Sequence, residues 1–296
     1  DEWIVSRTGI KERRIGSEDQ ATSDLSVIAS QRALKDSGLT IKDIDLILLA
    51  TSTPDTIFPS TACWVQKGLE ADHIPALDVS AGCTGLLYAM IIAEAMILNG
   101  TVQRILLIGA EMLTKVMNWE DRNTCVLFGD AAAALVLEKS NDESGMLSYY
   151  WRADGNLGGL LSLPGGGSRH PATPEMLEQK LQFLQMKGNE VFKHAVKRMG
   201  EAALAALKKA GLTTDDIDYF IPHQANIRII EATGKRLKIP AEKVFINIQK
   251  YGNVSVATIP IGLHELKEQG KLKKGDIIVM DAFGAGFTWA AITYRW

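Results

Sequence analysis

The chain has 296 residues, of which 46% are hydrophobic and 23% charged, so it can bury a sizeable core and is not disordered as a whole. Lys and Arg number 32 against 35 Asp and Glu, a net charge of −3 that gives no bulk attraction for nucleic acid. Three cysteines, an odd number in so long a chain, argue against a disulfide framework and for a reducing, cytoplasmic setting.

The opening Asp1-Glu2-Trp3 carries no basic-then-apolar leader. Residues 33–45 then predict a helix end, a Gly38 cap, a turn and an apolar strand, Leu46–Ala50. The apolar stretch 86–98 contains Glu94 and falls short of the roughly 20 residues that span a membrane, so it predicts a buried helix. A strand follows over 104–109. Residues 141–185 break this rhythm with Gly158-Gly159 and Pro164-Gly165-Gly166-Gly167, and are read as a loop excursion.

The rhythm then returns. Residues 206–218 repeat 33–45 at nine of thirteen positions, an offset of 173, and lead into a second apolar strand, Tyr219–Pro222. Aligning Gly100 with Gly270 gives an offset of 170 for the next helix, and a final strand is expected over 276–280. The chain is therefore read as two copies of a β/α unit: 1–143, a linker over 144–185, and 186–296. Continuous apolar strands imply sheets covered by helices on both faces.

Three residues stand out. Cys83 follows Gly82, opens a helix, and falls on Asn253 at the 170 offset. A thiol at a helix opening is expected to have a lowered pKa and to serve as a nucleophile. The alternative is a small buried side chain, the reading that suits Cys63 and Cys125. His223 ends the strand 219–222, where α/β sheets place ligand chemistry, although capping or packing would also explain it. The five histidines show no zinc-ligand spacing beside the cysteines, so no metal is expected. Small residues in Ala282-Phe283-Gly284-Ala285-Gly286-Phe287 would let backbone N–H groups face a cavity as an oxyanion hole, or simply form a tight turn.

Ala81-Gly82-Cys83-Thr84-Gly85, Pro222-His223-Gln224-Ala225-Asn226 and Tyr251-Gly252-Asn253-Val254-Ser255 resemble the active-site motifs of the β-ketoacyl-[acyl carrier protein] synthase III family. Asp1-Glu2-Trp3-Ile4, Arg7-Thr8-Gly9-Ile10, Asp121-Arg122, Phe128-Gly129-Asp130 and Gly188-Asn189-Glu190-Val191-Phe192 extend the resemblance from end to end. It implies the thiolase fold, α/β in five α-β-α-β-α layers, and a homodimer without cofactor or membrane segment. The implied reaction initiates fatty acid synthesis: a short acyl-CoA is condensed with malonyl-[acyl carrier protein]. Cys83 would carry the acyl group, His223 and Asn253 would stabilise the enolate left by decarboxylation, and the N–H groups of Cys83 and Ala285 would hold the oxyanion.

The resemblance further implies that Trp3 and Arg122 sandwich the CoA adenine and that Arg7, Gly188, Asn189 and Asn226 line its tunnel. Phe58 would cross the dimer interface to close the acyl pocket. Gln224, Ala225, Asn226, Ile227 and Arg228 would meet the carrier protein, with Lys193, Lys197 and Lys235 adding a basic patch or being ordinary solvated lysines. Two departures are visible: the family's first strand and helix do not precede Asp1, so a truncated, cleaved or partly ordered chain with one strand missing from the first sheet is expected, and Ala285 replaces a family glycine. A ketosynthase of secondary metabolism and a non-catalytic subunit that binds CoA or carrier protein are the alternatives.

Overall fold

The computed structural model describes residues 1–296. The first half comprises α1 (Glu2–Thr8), α2 (Thr22–Ser37), β1 (Leu46–Ala50), α3 (Thr61–Gly68), β2 (Ala76–Val79), α4 (Gly85–Leu98), β3 (Arg104–Met112) and β4 (Asp130–Glu138). After it come β5 (Gly145–Ala153), β6 (Leu161–Ser162), α5 (Pro174–Glu178), β7 (Gln185–Met186), α6 (Gly188–Lys209), β8 (Tyr219–Pro222), α7 (Ile227–Leu237), α8 (Ile248–Tyr251), α9 (Thr258–Glu268), β9 (Ile277–Gly284) and β10 (Thr288–Arg295). The strands form two four-stranded sheets, β2-β1-β3-β4 and β5-β10-β9-β8, and a small β6-β7 ribbon.

Alternation along the strands produces the layers. Leu46, Leu48 and Ala50 of β1 turn to one face, packing with α4, α9 and the inner faces of β8, β9 and β10. Ile47 and Leu49 turn to the other, against α2 and α3. On the second sheet, Val279 and Phe283 of β9 pack against α6 and α7. The order is therefore α2/α3, sheet, α4/α9, sheet, α6/α7, the five layers of the thiolase fold. Helix α4 lies between both sheets, which is why its sequence is apolar on nearly every face, with Leu86, Leu87, Ala89, Met90, Ile91 and Ala93 all buried.

The two halves share one register: Leu46 pairs with Ile105 and Tyr219 with Ile278, both moved by 173. Two expectations need correction. The stretch 144–185 is not all linker, because Gly145–Ala153 is a full strand paired antiparallel with β10; its Met146, Tyr149 and Trp151 face the inner core and its Ser148 and Tyr150 face α6. The 170 offset arises because α9 is one turn shorter than α4, not because of a shift ahead of it: α4 starts at Gly85 and α9 at Thr258, again 173 apart. Cys83 thus corresponds to Val256, and Asn253 lies in the turn before that helix. In the first sheet, no strand of residues 1–296 occupies the place that β5 takes beside β10.

The inner layer predicts its own sensitivity. Leu107 of β3 is fully buried between the sheets, so Leu107→Ala is expected to cost about 2–5 kcal/mol through lost transfer energy and a residual cavity. Chemical denaturation would measure it.

Candidate active site

Cys83 sits in the 3-10 turn Gly82–Thr84 that feeds α4. Its neighbour across the molecule is the end of β9. A methyl group on Gly284 would lie 2.4 Å from the Cys83 nitrogen, and one on Gly82, whose φ is +56°, would lie 2.6 Å from the Ala285 nitrogen. Only glycines allow these two backbones to approach so closely. The Cys83 and Ala285 N–H groups consequently stand side by side, and neither donates to another backbone group. Ala285 keeps a negative φ, so its methyl group is accommodated without strain.

Asn253 and His223 reach the same point through one turn. The Ser255 N–H donates to Asn253 Oδ1 at 2.9 Å, which directs the carboxamide NH2 away from the backbone. The Thr258 hydroxyl donates to the Ser255 carbonyl at 2.8 Å and lies 2.9 Å from His223 Nδ1. A hydroxyl has one proton, so while Thr258 spends it on Ser255, His223 must donate from Nδ1. Its Nε2 is then a bare lone pair, buried and without a protein partner. The side chain of Ser255 in turn reaches Cys83. Asn253 and His223 are thus joined through the Ser255–Thr258 turn, and the resting imidazole presents an acceptor at Nε2.

Burial governs the charges. Cys83 keeps a partly exposed surface, yet burial pushes its thiol up to about 12, a Ser255 hydrogen bond opposing this and the Glu111 charge adding to it. The helix opening does not lower the pKa as expected, since loss of water outweighs the few N–H dipoles. His223, 2% exposed, is pushed down to about 3 by burial and is neutral. Burial also raises Glu111 to about 7, against hydrogen bonds from Thr53, Ser52, Ser255 and Thr51.

Glu111, Ser255 and Thr258 were not singled out from sequence. Glu111 left a signal, a lone acid closing the apolar strand 105–110, but nothing in one strand names its partners.

Of the remaining candidates, Trp3 on α1 and Arg122 meet, the guanidinium 5.8 Å from the indole centroid. Arg7 is exposed in the last turn of α1. Gly188 and Asn189 are exposed at the start of α6, and Asn226 caps α7 by accepting from the Arg228 N–H at 2.9 Å. Phe58 is 83% exposed beside the exposed Ile57.

The expected carrier-protein contacts are only partly at the surface. Gln224 is buried, donating to the Pro222 and Phe245 carbonyls and accepting from the Asn247 and Ile248 N–H groups, so it is an internal strut. Ile227 packs with Ile10, Ile230 and Ile248, and Ala225 with the α6/α7 core. Arg228, Lys197 and Lys235 are exposed, whereas Lys193 is ion-paired with Glu190 at 3.0 Å.

The same family emerges from comparison with known proteins. Residues 77–155 match the model of 3-oxoacyl-[acyl-carrier-protein] synthase III, and residues 207–296 match that of its C-terminal part. A β-ketoacyl-[acyl-carrier-protein] synthase III of Caldanaerobacter subterraneus is 53% identical over 296 residues, which cover all of this chain and 89% of the relative. The chain belongs to the β-ketoacyl-[acyl-carrier-protein] synthase III family. A Clostridioides difficile relative of the same name is 49% identical over all of this chain and 90% of its own. The crystal structure of the Aquifex aeolicus synthase III superposes with a TM-score of 0.92 at 47% identity, covering all of this chain and 91% of that one. A priming β-ketosynthase of the R1128 polyketide pathway superposes at 0.91 with 33% identity, over 99% of this chain and 87% of that one. The chain is accordingly an enzyme, an acyltransferase whose condensation initiates fatty acid synthesis.

Two outcomes follow from the site's geometry. Gly284→Ala drives a methyl group into the Cys83 backbone; a displacement of about 1 Å should cut condensation about 10²-fold, read by steady-state assay alongside a melting curve. The second concerns pH. Glu111 ionises near 4.5 unfolded but about 7 folded, so its contribution to stability is full below 4.5 and is lost as pH rises through 7. Glu111→Gln does not titrate, and the stability gap between wild type and variant should shrink over that window in thermal melts.

Proposed function

We propose that Cys83 accepts the acyl group of a short acyl-CoA as a thioester and that the acyl-enzyme then condenses with malonyl-[acyl carrier protein]. The observation that carries this reading is the convergence of Cys83, His223 and Asn253 on the Ser255–Thr258 turn, with the Cys83 and Ala285 backbones in close approach.

In the first half-reaction Cys83 sulfur attacks the acyl carbonyl while its proton passes to His223 Nε2. The transfer is concerted with attack, because burial disfavours both the free thiolate and the free imidazolium. The carbonyl oxygen collects charge between the Cys83 and Ala285 N–H groups, and the imidazolium protonates the departing CoA thiolate. In the second, the malonyl carboxylate leaves as carbon dioxide and its bonding pair forms the thioester enolate. Asn253 Nδ2 donates to the enolate oxygen. His223 donates as well in its other tautomer, reached when the ring gives up its Nδ1 proton and takes one from solvent at Nε2, with Thr258 then turning its hydroxyl proton to Nδ1. The enolate carbon attacks the acyl-Cys83 carbonyl, the carbon–sulfur bond breaks, the β-ketoacyl thioester is released, and the Cys83 sulfur takes up one proton from solvent to return to the thiol. A neutral pair of donors suits this step, since a charged acid would protonate the carbanion. No step as written calls on a cofactor.

Trp3 and Arg122, which meet on the surface, would part to stack on the CoA adenine, and Arg7, Gly188, Asn189 and Asn226 would line its approach. The exposed Arg228, Lys197 and Lys235 favour docking of an acidic carrier protein beside α7, without Gln224. A homodimer would cover Phe58 and Ile57, whose exposure supports it. No helix is long and apolar enough to cross a membrane, and three free thiols support a reducing cytoplasm.

Cys83→Ala should fold and yet form no acyl adduct. Intact mass after mixing with acetyl-CoA decides it: wild type must gain one acetyl group on Cys83, and an unmodified Cys83 in active enzyme refutes the assignment.

A further inference from the structure

Glu111 closes β3 with no exposed surface and takes no part in the steps above. Its carboxylate accepts from the Thr53 hydroxyl at 2.6 Å, the Ser52 N–H at 3.1 Å and the Ser255 hydroxyl at 3.0 Å. The first two partners lie in the loop after β1 and the third in the second half, so one carboxylate ties the two halves together. Ser255 is held at φ +47°, a conformation that a residue with a side chain adopts only where its surroundings over-determine it. In that pose its N–H orients Asn253, its carbonyl orients Thr258 and through it His223, its hydroxyl donates to Glu111, and it lies near enough to Cys83 to favour the charged sulfur.

We propose that Glu111 is a positioning residue for the condensation: through the Ser255 hydroxyl it holds the turn that aims Asn253 and His223, and it sets whether Ser255 offers Cys83 a lone pair or a proton. As a carboxylate, Glu111 takes the Ser255 proton, and the oxygen lone pairs are left for the thiol. As an acid, Glu111 donates to Ser255 instead, and the Ser255 proton is free to stabilise sulfur charge. The charge on Glu111 also opposes a thiolate directly. Cys83 is the ionisable group it acts on. The acids of neighbouring elements are engaged elsewhere, Asp130 of β4 by Thr114 and Gly16, and Asp55 by Ser23; the faces that α2 and the 255–257 turn bury carry no charge, and Glu94 lies further along α4.

The inference rests on Cys83 being the nucleophile, and the test separates the two. Iodoacetamide alkylation of Cys83 is followed against pH, acetyl adduct formation by intact mass, and condensation by kcat and KM. Glu111→Gln should lower the pH midpoint of alkylation by about one unit, because the opposing charge is gone. Ser255→Gly, which removes the hydroxyl but suits φ +47°, should still form the adduct while kcat for condensation falls about 10–10²-fold and KM for acyl-CoA stays within about two-fold. A residue serving packing alone would change melting temperature and leave the alkylation midpoint in place. Folded Glu111→Gln with an unmoved midpoint, or folded Ser255→Gly with wild-type kcat, overturns the proposal. Should neither variant fold, wild-type alkylation decides: a break near pH 7, where Glu111 ionises, supports it and a single smooth slope overturns it. Absence of adduct on wild-type Cys83 would instead fault the nucleophile assignment.

Discussion

The centre of this molecule depends on a close backbone approach. The turn carrying Cys83 and the end of β9 come together because neither Gly82 nor Gly284 has a side chain to hold them apart. The contact brings the Cys83 and Ala285 N–H groups side by side, and Ser255 then completes the cluster from the opposite half with its own three polar groups. The turn that feeds α4 and the turn that follows β9 supply the two backbones, each tied directly to a regular element.

Burial of that contact determines its electrical character. Sulfur, imidazole and carboxylate all shift toward their neutral forms, the thiol upward, His223 downward and Glu111 upward. A nucleophile without standing charge is less reactive at rest but is not exposed to indiscriminate alkylation or oxidation. In the proposed mechanism activation is deferred to the moment of attack, when proton transfer to Nε2 and charge on the oxyanion arise together. The chemistry that forms a carbanion gains from the same neutrality.

The periphery follows different rules. Trp3, Arg122, Arg228 and Phe58 are exposed, whereas Gln224 in the same motif as His223 is consumed by four internal hydrogen bonds. Neighbouring positions of one short motif therefore serve chemistry, structure and surface by turns, and only burial separates them.

Much of this was legible in the chain. The repeat of 33–45 at 206–218 revealed the duplication and both first strands, because helix caps and apolar strands are local signals carried by adjacent residues. The all-round apolar stretch 86–98 announced the helix between the sheets, and Cys83, His223 and Asn253 were marked by their motifs. Three matters were decided only on folding. Strand β5 looked like a linker, since its pairing with β10 joins residues far apart in sequence. The thiol pKa was misjudged, because a helix opening is local while desolvation is collective. Glu111 stayed hidden, for its meaning lies in Ser52, Thr53 and Ser255, contributed by segments that meet only when the two halves close. Sequence determined most of the elements and nominated the candidate side chains; tertiary structure decided their protonation and their partners, because both depend on water excluded by residues distant along the chain.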